Sequence, residues 1–261
     1  MLSYLPAFLA VGAVAGFLAG LLGVGGGLIV VPALVFVFEH AAVAPQHVLH
    51  LALGTSLASI LFTSLSSIRS HHARGAVNWA IVRAISPGIL LGTFGGATVA
   101  GQISTLGLKW FFVAFATLVG LQMFTGTKPR AARELPGGAG MFAAGGAIGM
   151  ISSFVGIGGG SLSVPFMSWC NVAIHQAVGT SAAIGFPIAL AGALGYLANG
   201  WAVNGLPAGA LGFVYLPALA GIVLTSVLTA GGGARLAHRM PVTQLKKLFA
   251  LFHLFVCLID P

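Results

Sequence analysis

Charge is the scarcest commodity in this chain: 5% of 261 residues are Asp, Glu, Lys or Arg, and the acidic share is three residues, Glu39, Glu134 and Asp260. So few charges cannot solvate the surface of a soluble domain, and with 58% hydrophobic residues they specify an integral membrane protein. Cysteine is almost absent. Cys170 and Cys257 stand among apolar residues, with no CxxC or Cys/His spacing, so a metal site or disulfide framework is not expected and both read as packing residues. No basic segment precedes the apolar N-terminus, which runs directly into a second apolar stretch. A cleaved signal peptide is therefore not expected, and the first segment belongs to the fold. The net charge of +8 does not indicate nucleic acid, because the Lys and Arg fall in a few short loops between apolar segments.

What is abundant is glycine, 39 residues. Much of it falls in a duplicated pattern. Gly23-Val-Gly-Gly-Gly-Leu-Ile-Val-Val-Pro32 pairs with Gly156-Ile-Gly-Gly-Gly-Ser-Leu-Ser-Val-Pro165 at six of ten positions. In the same order His50 with Gly54-Thr55-Ser56 matches His175 with Gly179-Thr180-Ser181, Ala76-Val77-Asn78 matches Ala202-Val203-Asn204, and Leu108-Lys109 matches Leu245-Lys246. Ordered matches over this length mean an internal repeat. Residues 1–126 form one repeat and 139–261 the other, joined by a basic linker, 127–138, carrying Lys128, Arg130, Arg133 and Glu134. Together they make one transporter-sized domain.

Each repeat has four apolar blocks: Leu5 to Phe38, Val48 to Ile68, Trp79 to Ala100 and Gly107 to Gly126, then Met141 to Trp169, His175 to Ala198, Pro207 to Ala230 and Leu245 to Ile259. The first block is 34 residues long and is interrupted by glycines and a proline, so it predicts two short helices meeting at a loop, with Pro32 and Pro165 near the first turn of the second. The expected architecture is all-α and polytopic, with 8–10 membrane segments. Charge sets the direction. Arg69, Arg74 and Arg83 follow the second block of the first repeat, whereas in the second repeat Arg235, Arg239, Lys246 and Lys247 precede the last block. Positive loops face the cytoplasm, so the repeats are expected to be inverted, with the linker cytoplasmic and the broken block entering and leaving on one side.

Inverted repeats with broken helices are built for secondary transport around a midplane site. At each GxGGG break the chain starts a new helix, so amides without carbonyl partners point into the gap. Gly25, Gly26 and Gly27 with Gly158, Gly159 and Gly160 are the candidate backbone donors to an anion, and glycine lets the ligand approach. The alternative is that these glycines only let helices pack closely. Thr55, Ser56, Thr180 and Ser181 are candidate hydroxyl donors; the alternative has them bonding their own helix carbonyls. His50 and His175 titrate near neutrality and are candidates for proton coupling, or else sit in interfacial loops. Glu39 and His40 read as interfacial, Asn78 and Asn204 as caps of the third helix, and His71, His72 and His238 as facing water. Trp79, Trp110, Trp169 and Trp201 read as an aromatic belt.

The string from Gly20 to Pro32, its second copy through Pro165, the two Gly-Thr-Ser motifs and the Leu-Lys openings resemble the sulfite exporter TauE/SafE family, also called the toluene sulfonate uptake permease family. The resemblance covers essentially the whole chain. It implies a bacterial-type cytoplasmic-membrane permease of about eight spans. It also implies a cargo of sulfur-containing anions such as sulfite, thiosulfate, sulfoacetate or other organosulfonates, often moved outward. Neither cofactor nor metal is expected; the partners are the lipid bilayer, a small anion and a second copy in a homo-oligomer. Two other classes compete: an anion channel of this architecture, and an intramembrane hydrolase using Ser56 with His50 or Ser161 with His175. The hydrolase fits poorly, since no G-x-S-x-G elbow is present and the best Ser/His pair occurs twice.

Overall fold

The structure is a computed structural model that describes residues 4–22, 26–125 and 134–237. The expected last block, Leu245 to Ile259, together with Gly25, His238 and most of the linker, lies outside the described residues. Nine helices and one two-residue-per-strand hairpin are described: α1 Leu5–Leu22, α2 Gly27–His40, α3 Val48–His72, α4 Trp79–Ala100, α5 Thr105–Thr125, α6 Gly138–Val155, α7 Gly160–Trp169, α8 Ile174–Gly200, β1 Ala210–Leu211, β2 Val214–Tyr215 and α9 Leu216–Ala237. Five of them, α3, α4, α6, α8 and α9, are long and apolar enough to cross a membrane. Both long first blocks are broken at their glycines, as expected. The second pieces, α2 with 14 residues and α7 with 10, fall short of the ~20 residues that a span requires.

Much of the glycine serves close packing. Gly12, Gly16 and Gly20 of α1 lie against Ile222, Ser226 and Ala230 of α9, and a Cβ added at any of them would stand within 2.4 Å of a backbone oxygen. Gly88 and Gly92 of α4 meet Phe142 and Gly146 of α6 in the same way. In lipid such small-residue faces replace the hydrophobic drive that water would supply.

These contacts fix the helix directions. Ascending numbers meet ascending numbers between α1 and α9 and between α4 and α6, so each pair is parallel. The bonds Thr55 to Tyr215 and Thr63 to Ser226 make α3 parallel to α9. By contrast, Gly54 lies on Tyr196 and Gly192 on Leu57, so α3 and α8, which carry the matching motifs, run antiparallel. Phe8 packs edge-on to Phe38 at 6.5 Å, so α2 turns back along α1 to the face where α1 began.

The molecule thus has two faces. One carries Arg69 and Arg74 at the end of α3, Arg83 early in α4 and Arg235 in the last turn of α9. At the other, Glu39 and Lys109 pair at 3.9 Å, and the β-hairpin closes over the start of α3. Trp79, Trp110, Trp169 and Trp201 are all exposed near helix ends, where an aromatic belt belongs.

Three local expectations are corrected. Pro32 and Pro165 are the sixth residues of their helices, one turn further in than the sequence suggested. Asn78 does cap α4, accepting from the amides of Ala80 and Ile81, but Asn204 caps nothing: the hairpin intervenes and α9 starts at Leu216. His71 does not face water; it is 1% exposed, with Nε2 3.2 Å from the carbonyl of Gly20. Two buried helices cross there, and the ring supplies a polar partner that bulk water cannot.

Candidate functional site

The two breaks meet in the middle of the bundle. Gly26 and Gly159 occupy the left-handed region, φ 73° and 75°, one residue before α2 and α7. That conformation costs a side-chain-bearing residue about 1–2 kcal/mol, which explains glycine at both. The carbonyl of Gly26 accepts from the amides of Ile29 and Val30, and that of Gly159 from Leu162 and Ser163. The preceding amides, Gly27 and Leu28 in one helix and Gly160 and Ser161 in the other, therefore have no carbonyl within their own helix. Gly27 sits so tightly against the second break that a Cβ there would be 2.1 Å from the oxygen of Gly156. Gly25 lies outside the described residues.

The duplicated Gly-Thr-Ser motifs hold the two halves of the chain together at this level. Thr55 Oγ1 accepts from the amide of Tyr215 at 2.9 Å, and Thr180 Oγ1 from the amide of Asn78 at 2.9 Å. Gly54 admits the carbonyl of Phe213, and Gly179 that of Ala76, at distances no Cβ would tolerate. So each motif docks the segment that leads into the third helix of the other half. Each Thr spends a lone pair in this bond and keeps its own proton to donate. Ser56 Oγ donates to the carbonyl of Gly156 at 2.8 Å, which ties α3 to the second break. Ser181 Oγ accepts from Ser163 Oγ at 2.9 Å, which ties α8 to the first turn of α7. Thr55, Ser56, Thr180 and Ser181 are all fully buried.

The histidines diverge. His50 is 3% exposed in the first turn of α3, where Nε2 lies 3.1 Å from the carbonyls of both Ala100 and Ile103, so it caps the end of α4. His47 and Phe213 stack around it, at 5.8 Å and 5.1 Å between ring centres. His175 is exposed at the start of α8. His50 and Ser56 bond to different backbone groups, not to each other, which removes the first proposed Ser/His dyad.

Two groups escaped the reading of the motifs. Ser152, fully buried at the end of α6, has a hydroxyl with no hydrogen-bond partner close to Gly159. The second is a row of hydroxyls on α3, Ser59, Thr63, Ser64 and Ser67, all buried, running from the centre toward the arginine face. The signal was in the sequence as Ser/Thr recurring at i, i+4, i+5 and i+8 through a buried helix. Thr63, Ser64 and Ser67, with Ala19, Ile60, Gly158, Ala182 and Gly185, line a cavity of about 10 Å³, room for about one water molecule. Among the described residues no group of three or more His, Cys, Asp or Glu lies together. The centre is thus uncharged, built of helix starts and hydroxyls.

Comparison with known proteins bears directly on this arrangement. The family model for "Sulfite exporter TauE/SafE" matches residues 8–259. A "Probable membrane transporter protein" of Haemophilus influenzae is 36% identical over 99% of this chain and 98% of its own. "Probable membrane transporter protein YdhB" of Bacillus subtilis is 28% identical over 88% of this chain and 89% of its own. No solved structure matches. A multi-pass helical bundle with paired broken helices, matched over its whole length by transporters, is a membrane transporter and not an enzyme; the chain belongs to the sulfite exporter TauE/SafE family.

Proposed function

We propose that the protein is a secondary transporter that exports sulfur-containing anions, such as sulfite, thiosulfate, sulfoacetate or other organosulfonates, across the cytoplasmic membrane by alternating access. The observation that carries this reading is the meeting of the two breaks, with Gly27 against Gly156 and, at the centre, two sets of amides that have no carbonyl partner within their own helices. Amides at helix starts, backed by the helix dipole, attract an anion without an ionised side chain, which is costly at membrane depth. An oxyanion with three or four oxygens suits such donors. Gly25 to Gly27, Gly158 to Gly160, Thr55, Ser56, Thr180 and Ser181 form the anion site in this reading.

The opposed directions of α3 and α8, and the pairing of α1 with α9 and α4 with α6, support two inverted repeats exchanging their third helices. Arginine on one face supports placing that face, and the linker between α5 and α6, in the cytoplasm. On the opposite face Phe213, Val214 and Tyr215 are buried over the centre, and the cavity lies between the centre and the arginine face.

Binding to the purified protein tests the site. Calorimetric titration with sulfite and thiosulfate should show saturable heats that acetate and choline do not reproduce. Gly159→Ala, which strains φ 75° and places a methyl 2.3 Å from Ile188 Cδ1, should abolish those heats while the protein still elutes folded. Undiminished binding by that variant removes the breaks from the site.

A further inference from the structure

The cavity on the cytoplasmic side of the breaks presents the wrong chemistry for the anion. Thr63 Oγ1 donates its proton to the carbonyl of Ser59 at 3.0 Å, and Ser64 Oγ donates to that of Leu61 at 3.0 Å. Thr63 Oγ1 also meets Ser226 Oγ at 2.9 Å and, its one proton already given, accepts there, so Thr63 keeps one lone pair and Ser64 keeps two for the cavity. Gly158 adds a carbonyl: a Cβ on Gly185, which also lines the cavity, would lie 3.2 Å from its oxygen. Ser67 completes the lining. It is 4% exposed, and its Oγ has no hydrogen-bond partner. A buried hydroxyl left in that state carries a desolvation cost that a ligand would remove.

We infer that this cavity is a site for one monovalent hard cation, Na⁺, held by Thr63 Oγ1, Ser64 Oγ, Ser67 Oγ and the Gly158 carbonyl. Neutral oxygens and an unwound carbonyl beyond the end of a half-helix are the ligand set that transporters use for Na⁺. Divalent ions take carboxylates, and none of the lining residues is acidic. The volume admits one ion or one water, not an oxyanion.

The site occurs in one half only. In the register that pairs Gly54 with Gly179, the positions of Thr63, Ser64 and Ser67 are taken on α8 by Ile188, Ala189 and Gly192. Ile188 is fully buried, and a Cβ on Gly159 would lie 2.3 Å from its Cδ1. One cation therefore accompanies a single anion site built from two halves. Gly158 belongs to the same break as Gly160 and Ser161, whose amides face the anion in the reading above. Bound Na⁺ would thus raise anion affinity, and the anion would raise Na⁺ affinity by the same factor. This coupling rests on the anion reading; the cation site itself does not.

The test is equilibrium binding of ²²Na⁺ to the purified protein without any anion, competed by unlabelled Na⁺, K⁺ or choline. Saturable binding displaced by Na⁺ and not by choline is expected. Ser67→Ala, which removes one ligand without altering the helix, should weaken it about tenfold or more. Gly185→Ala should abolish it by placing a methyl against the Gly158 carbonyl. Ser66→Ala, on the neighbouring face where Oγ donates to the carbonyl of Val227, should leave it unchanged. Absence of Na⁺ binding to folded wild-type protein, or equal binding by Ser67→Ala and Gly185→Ala, overturns the site. Na⁺ binding without any effect on anion titration would instead retain the site and refute the coupling.

Discussion

Replacing Gly27 by Ala sets two effects of known size against each other. Ala is the better helix former by about 1 kcal/mol, and Gly27 is the first residue of α2 with no positive φ, so local propensity favours the change. Packing opposes it. The new Cβ would lie 2.1 Å from the oxygen of Gly156 and 2.8 Å from Cα of Ile157, both backbone atoms that cannot rotate away. Ordinary contact begins near 3.4 Å, so the two breaks must separate by 3.4 − 2.1, or 1.3 Å. Overpacking of this kind costs about 1–3 kcal/mol, enough to cancel or exceed the gain. The larger consequence is geometric, because a displacement of about 1 Å between groups that act together can cost about a hundredfold in rate. We expect Gly27→Ala to insert and fold with Tm lowered by no more than a few degrees, and to transport about a hundredfold more slowly. The assay is initial-rate anion flux in proteoliposomes, normalised to inserted protein, with Gly95→Ala as the control. Gly95 is also helical, but a Cβ there meets nothing within 4 Å, so its flux should equal wild type. Wild-type flux from Gly27→Ala would refute the claim that contact between the breaks shapes the site.

Ser56→Ala leaves the buried carbonyl of Gly156 without its donor and should cost about 1–3 kcal/mol, read as a lower Tm, with a partial loss of flux. Ser181→Ala should lose flux to a comparable degree if the halves share one site; abolition by one variant alone would contradict sharing. His50→Phe should destabilise the protein by a similar amount, because the carbonyls of Ala100 and Ile103 lose their cap, while the pH profile of flux stays put. A displaced profile would give the ring a part in proton coupling. In a background without Cys170 and Cys257, Arg74→Cys should react with an impermeant maleimide only from the cytoplasmic side and Asn204→Cys only from outside; both side chains are exposed. The reverse pattern would invert the topology.

The broken first blocks could be read directly, because a run of glycines in an apolar stretch too long for one span weakens the helix at that point, while Pro32 and Pro165 are carried inside the helices that follow. The caps split: Asn78 was legible because its helix begins immediately after it, whereas Asn204 misled because nothing in Gly205 to Tyr215 announces a hairpin two residues deep. The role of Thr55 and Thr180 was hidden for a different reason. Each accepts from an amide more than a hundred residues away, and a motif cannot reveal which distant segment docks on it. His71 was misplaced because its neighbours Arg69, His72 and Arg74 suggest a solvated end, and only the crossing of α1 by α3 buries it. The cavity had a visible signature in the spacing of Ser59, Thr63, Ser64 and Ser67. Hydroxyls on a buried helix usually satisfy their own backbone, however, and only the unpartnered Ser67 separates a lining from such a row.

Counterflow separates a carrier of sulfur anions from a channel and from a carrier of another substrate. Proteoliposomes preloaded with unlabelled sulfite, thiosulfate, sulfoacetate, sulfate or chloride would be diluted into trace labelled sulfur oxyanion. Transient, saturable accumulation of label is expected with sulfite, thiosulfate or sulfoacetate inside and none with chloride, because the one site of a carrier faces each side in turn. Flux that rises linearly with concentration and shows no overshoot would contradict alternating access. Absence of exchange for every sulfur anion by folded, inserted protein would contradict the substrate class.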